Sequence, residues 1–67
     1  MIPIIGKRYK IHYVGGYNGF GEYTGEYDED DGDVVYLFRL DDPPDGFGGW
    51  FSGIDIMGEI DEQGNIT

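Results

Sequence analysis

Asp33-Val34-Val35-Tyr36-Leu37-Phe38-Arg39-Leu40 is the longest nearly unbroken apolar and aromatic run in this chain of 67 residues. β-branched and aromatic side chains suit the half-buried, pleated surface of a strand. Turn residues close both ends of the run, Asp30-Asp31-Gly32 before it and Asp41-Asp42-Pro43-Pro44-Asp45-Gly46 after it. Glycine reaches positive φ, aspartate bonds to nearby backbone and proline fixes φ, so each marks a change of direction for its own reason. The run is therefore the expected central strand of a small β domain. A period of two places Val34, Tyr36, Phe38 and Leu40 toward the core and Val35, Leu37 and Arg39 on the other face. That second face is also largely apolar. It needs cover from a strongly bent neighbour, or it is partly a contact surface.

The flanking segments follow the same logic. Residues 7–14 alternate, with Tyr9, Ile11 and Tyr13 inward and Arg8, Lys10 and His12 outward, which predicts a half-buried strand. Gly15-Gly16-Tyr17-Asn18-Gly19 reads as a loop, with Asn18-Gly19 suited to a type I′ turn. Residues 20–27 form the next expected strand, with Gly21, Tyr23, Gly25 and Tyr27 on the inner face, and glycine beside tyrosine permits sharp bending. Residues 28–33 are an acidic hairpin tip, 41–49 a longer loop and 50–54 a short fourth strand. Residues 54–60 fit either short strand pieces or, near 52–57, one turn of 3₁₀ helix. Gln63-Gly64-Asn65 is turn-like, and Ile66-Thr67 either adds a last pair or frays. Residues 2–5 are apolar and contain Pro3, so they suit an edge extension that pairs only after the proline.

These elements predict one all-β domain over residues 1–67, built from a small, strongly bent antiparallel sheet of four or five short strands. The sheet is either an SH3-like barrel or a meander. Residues 42–53 run from an acidic loop to the adjacent aromatics Trp50-Phe51 and then Gly53. This order is similar to the approach to one central strand of SH3-like barrels. The resemblance implies a small closed sheet. The aromatic signature that opens peptide-binding SH3 domains is absent, as is their closing proline-tyrosine segment, so the resemblance does not extend to proline-rich ligands.

Composition narrows the functions. With no cysteine there is no disulfide framework, and no His/Cys cluster offers a structural zinc site. A chain this short must build its core from few side chains. The aromatic fraction of 16% supplies them, since each buried ring removes about 150–250 Å² from water. A homodimer that extends the core is an alternative. The net charge of −10 opposes direct binding to nucleic acid or to anionic membranes and favours a protein with a basic surface. No segment approaches the ~20 apolar residues that span a bilayer. Lys7, Arg8 and Lys10 follow the apolar residues 2–5 rather than precede them, the wrong order for a secretory signal, so the cytoplasm is the expected location.

No residue set points to catalysis. His12, the one histidine, lies mid-strand away from the core phase, and Ser52, the one serine, is distant in sequence. A calcium loop needs oxygens at positions 1, 3 and 5, glycine at 6 and glutamate at 12. With Gly32 at position 6, Tyr27 and Phe38 fall at 1 and 12. With Gly46 there, Pro43 and Ser52 fall at 3 and 12. The glycine-rich loop at 15–19 lacks the lysine and helix of a phosphate cradle. No enzyme, metal or cofactor is expected.

What remains is recognition. Gly46-Phe47-Gly48-Gly49-Trp50-Phe51 offers large flat side chains on adaptable backbone, and aromatics beside carboxylates make interface hot spots. Alternation turns Trp50 and Phe51 opposite ways, with Trp50 expected exposed beside Tyr36 or Tyr13 and Phe51 inside. The leading expectation is a non-catalytic acidic protein-binding module, an inhibitor or modulator of a larger enzyme, with Phe47, Trp50, Tyr36, Asp41, Asp42 and Asp45 at its surface. An alternative is a nucleic-acid mimic in which Glu22, Glu26, Asp28, Glu29, Asp30, Asp31 and Asp33 stand in for phosphates in a basic groove. A third is a structural subunit of a homo-oligomer. Size and charge also suit a virus-encoded modulator of a host enzyme.

Overall fold

In a computed structural model, the structure describes residues 2–12, 18–43, 45–46 and 48–67. The expectations for Tyr13, Val14, the loop residues 15–17, Pro44 and Phe47 lie outside the described residues. The strands are β1 (Arg8–His12), β2 (Asn18–Asp30), β3 (Asp33–Leu40), β4 (Trp50–Ser52) and β5 (Ile56–Glu59), with a 3₁₀ turn at Gly53–Asp55 between β4 and β5. They form one antiparallel sheet in the order β4-β3-β2-β1-β5. The all-β expectation holds, but the central strand of the sheet is β2; β3, expected there, lies between β2 and the edge strand β4, because β1 and β5 both add on the far side of β2. Among the described residues no helix is long and apolar enough to cross a membrane.

The connection from β4 to β5 dictates the curvature. These strands are the two edges of the sheet, and in a flat sheet the edges would lie about 19 Å apart at ~4.8 Å per strand. Only the three residues Gly53–Asp55 separate the two strands in sequence, and a 3₁₀ turn advances ~2 Å per residue. The sheet therefore curls until its edges come near each other. Its pairings do not close into a ring, since no β4–β5 ladder joins the described edges. Asp55 fixes the crossing: its carboxylate accepts both the Ser52 N–H and the Ser52 Oγ–H at 2.9 Å.

The concave face holds the core. Tyr9 and Ile11 of β1, Tyr23 of β2, Phe38 of β3, Phe51 of β4 and Ile56 of β5 are buried, with Tyr36 and Leu40 packed against them. Phe38 is the hub. Its ring lies 5.9 Å from Tyr9, 5.5 Å from Tyr23 and 6.3 Å from Phe51, centre to centre, spacings at which tilted and edge-on aromatic pairs are favourable.

Several expectations are corrected. Asn18-Gly19 is not a turn; both residues lie in β2 opposite His12 and Ile11, and the cross-strand register overrides the local turn preference. β2 runs on to Asp30, so the turn of the acidic hairpin is only Asp31-Gly32. Their φ angles of 53° and 89° are those of the I′ geometry that matches strand twist. Residues 2–5 form no edge strand; Lys7 N–H bonds to the Ile4 carbonyl in a tight turn. β4 stops at Ser52, and both readings of residues 54–60 contain part of the answer, a 3₁₀ turn followed by β5. Ile66 bridges to Ile60, so of the two readings of the last residues it is pairing that holds.

Candidate functional site

The site begins with an irregularity in β2. Tyr23 lies opposite Phe38 and Tyr27 opposite Tyr36, so Thr24, Gly25 and Glu26 face Leu37 alone. Gly25 takes the kink with φ 96°, a left-handed value that side-chain-bearing residues avoid. The Thr24 hydroxyl donates to the Leu37 carbonyl at 3.1 Å and pins the bulge. Ile5 fills the space beside Gly25, where a Cβ would lie only 3.2 Å from Ile5 Cδ1.

The amino-terminal segment is held in place from several sides. Ile4 N–H donates to the Tyr9 hydroxyl at 2.7 Å. Gly6 N–H donates to the Tyr23 carbonyl at 3.0 Å, and Tyr23 N–H to the Lys7 carbonyl at 3.1 Å. Pro3 is buried. With these anchors Ile2, Pro3 and Ile5 form one wall, and Tyr27, Val34 and Tyr36 the other, of an open groove of about 360 Å³ floored by Tyr23 and Gly25. Tyr27 is 65% exposed and Val34 39%. Both were expected on the core face. They keep that face but extend past the strands that would have covered them. Tyr23 packs edge-on to Tyr36 at 5.7 Å. Burial pushes the Tyr23 phenol up from its ordinary value, with smaller contributions from Tyr36 and Tyr27.

The groove rim is acidic. Between Thr24 and Phe38 the chain has six carboxylates and no lysine or arginine. Alternation and pairing put Glu29 on the groove face beside Tyr27 and send Asp28, Asp30 and Asp33 to the opposite face. Asp31 sits at the turn and Glu26 at the bulge, both exposed. The acids of the mimic alternative thus ring the hairpin rather than form two rows, and Glu22 stands apart between Arg8 and Arg39 across the strands.

Of the set Phe47, Trp50, Tyr36, Asp41, Asp42 and Asp45, Phe47 lies outside the described residues and the others are not gathered in one place. Trp50 is 43% exposed while Phe51 is 6% exposed, so the two adjacent rings divide as expected. However, Trp50 pairs with Leu37 whereas Tyr36 pairs with Phe51, which puts Trp50 and Tyr36 on opposite faces. Asp41 lies five residues along the chain from Tyr36, about 16 Å in extended backbone. It is ion-paired with Arg8, and that hydrogen bond raises the Arg8 guanidinium pKa further. Asp42 and Asp45 are exposed at the same end. His12 is exposed with Nδ1 3.1 Å from Asn18 Oδ1, and the Ser52 hydroxyl donates to Asp55 at 2.9 Å. Among the described residues no three His, Asp or Glu side chains converge as a metal requires.

Sequence reasoning missed Ile2, Ile5, Tyr27 and Val34. A signal was present for the first two: an apolar run ahead of Gly6 too short to have a core of its own. Comparison with protein-family models, with curated proteins and with solved structures gave no match.

Proposed function

We propose that this chain is a non-catalytic protein-binding module that takes a basic, partly apolar segment of a larger protein in the Tyr27–Tyr36 groove, and so inhibits or modulates that protein. One observation carries the reading: an exposed apolar groove sits on a hairpin half whose charged side chains are all carboxylates. Desolvated aromatic anchors supply affinity, while a surrounding field of one sign supplies partner choice and encounter rate. The curled sheet, whose last strand returns to pair with the first, supports an SH3-like small barrel as the scaffold. Duplex mimicry asks for two rows of negative groups. A ring of carboxylates at one hairpin end, with Asp41 about 26 Å along β3 from Asp33, favours the module instead.

The test is affinity capture from native cell extract with the wild-type chain and with a Tyr27→Glu/Val34→Glu variant, followed by titration of the purified partner at two salt concentrations. The variant is expected to bind about tenfold or more weakly, and the wild-type affinity to fall as salt rises. Equal retention of the partner by both chains would count against the groove.

A further inference from the structure

The far half of β2 is a sheet edge. Phe38 N–H donates to the Gly49 carbonyl, on the β4 side of β3. Alternation then points the main chain of Tyr36 and Val34 the same way, and that of their partners Tyr27 and Glu29 away from β3. β1 covers that side of β2 only as far as Glu22, and Gly6 and Lys7 cover Tyr23. Among the described residues no main-chain group reaches Tyr27 or Glu29 from there. The Glu29 N–H is taken by the Asp28 carboxylate at 2.8 Å, which leaves Tyr27 N–H and both carbonyls facing outward.

We infer that the partner's segment binds as an added strand along Tyr27–Asp30, with alternate side chains apolar into the groove and basic against Asp28 and Asp30. The inference rests on the protein-binding reading and specifies its mode. Added strands take affinity from main-chain hydrogen bonds and specificity from alternate side chains. Here the two faces of the edge differ: Tyr27 and the Ile2–Ile5 wall lie on one, with Glu29 at its outer end, and Asp28 and Asp30 on the other. Charge selects the occupant. A second copy would bring its own carboxylates and a net charge of −10 to the same edge, and charged edges keep like chains apart. A strand with lysine or arginine at every second position meets the opposite field.

Three capped peptides of about ten residues test this on the intact protein: alternating valine–lysine, the same sequence methylated on the valine nitrogens, and the same sequence methylated on the lysine nitrogens. The parent peptide is expected to bind and to slow hydrogen exchange at the Tyr27 amide. One methylated form, the one whose blocked nitrogens face β2, should bind about tenfold or more weakly, and the other nearly as well as the parent. A valine–glutamate peptide should not bind. If both methylated forms match the parent, strand addition is overturned while a basic ligand in the groove stands. If the parent fails while a captured partner still distinguishes the Tyr27→Glu/Val34→Glu variant, strand addition is again overturned alone. If both assays fail, the module reading falls with it. Protection of the Tyr27 amide by self-association at raised protein concentration would assign the edge to a second copy and overturn the inference.

Discussion

β2 and β3 pass through two surroundings. In the near half, Tyr23 and Phe38 sit on the concave face with β1 on one side and β4 on the other, and Tyr9, Tyr23 and Phe51 all pack against the Phe38 ring. In the far half, Tyr27 and Val34 continue the same face of the same strands but are open to solvent. The alternation of side chains does not change between the halves. The neighbours do: β1 stops at Glu22 and β4 reaches only Val35. A strand pair longer than the sheet around it turns core-type residues into surface, and in this chain that surface is the groove.

The sharpest way to break the contrast is Phe38→Ala. Emptying the hub of the aromatic core is expected to cost about 3–5 kcal/mol, as much as a domain of this size holds in total, so a urea titration should find the variant largely unfolded in buffer. Gly25→Ala probes the boundary. A left-handed φ with a side chain costs about 1–2 kcal/mol, and Ile5 must shift as well. Denaturation should show that loss, with the amides beyond Gly25 losing exchange protection before those of β1. Tyr27→Ala probes the open half. It removes one cross-strand partner of Tyr36, expected to cost under about 1 kcal/mol in the same titration. A loss equal to that of Phe38→Ala would mean that the two halves are not different environments.

The near half was legible in the sequence because local pattern and tertiary cover agree there. Tyr9, Ile11, Tyr23 and Phe38 alternate and are buried, and Phe51 turns in where Trp50 turns out. The far half was not legible. Alternation names the face a side chain takes, whereas burial depends on how far the neighbouring strands extend, and that is set by pairing across distant segments. Asn18-Gly19 failed for a related reason: a strong local turn preference gave way to the ladder with β1. The groove's other wall came from residues 2–5, whose position rests on contacts with Tyr9 and Gly25 that no local pattern announces.

The surplus in β2 opposite Leu37 amounts to two residues, three where one would suffice, and it lies on one strand of the pair only. Paired residues share a face, so the hairpin end takes its facing from β3, which runs unbroken past the irregularity. A residue gained or lost among residues 24–26 would resize the bulge and leave Tyr27 opposite Tyr36. Length variation at this point should therefore be absorbed locally, by one residue as readily as by two, with the oily recess and the acids beyond it keeping their sides.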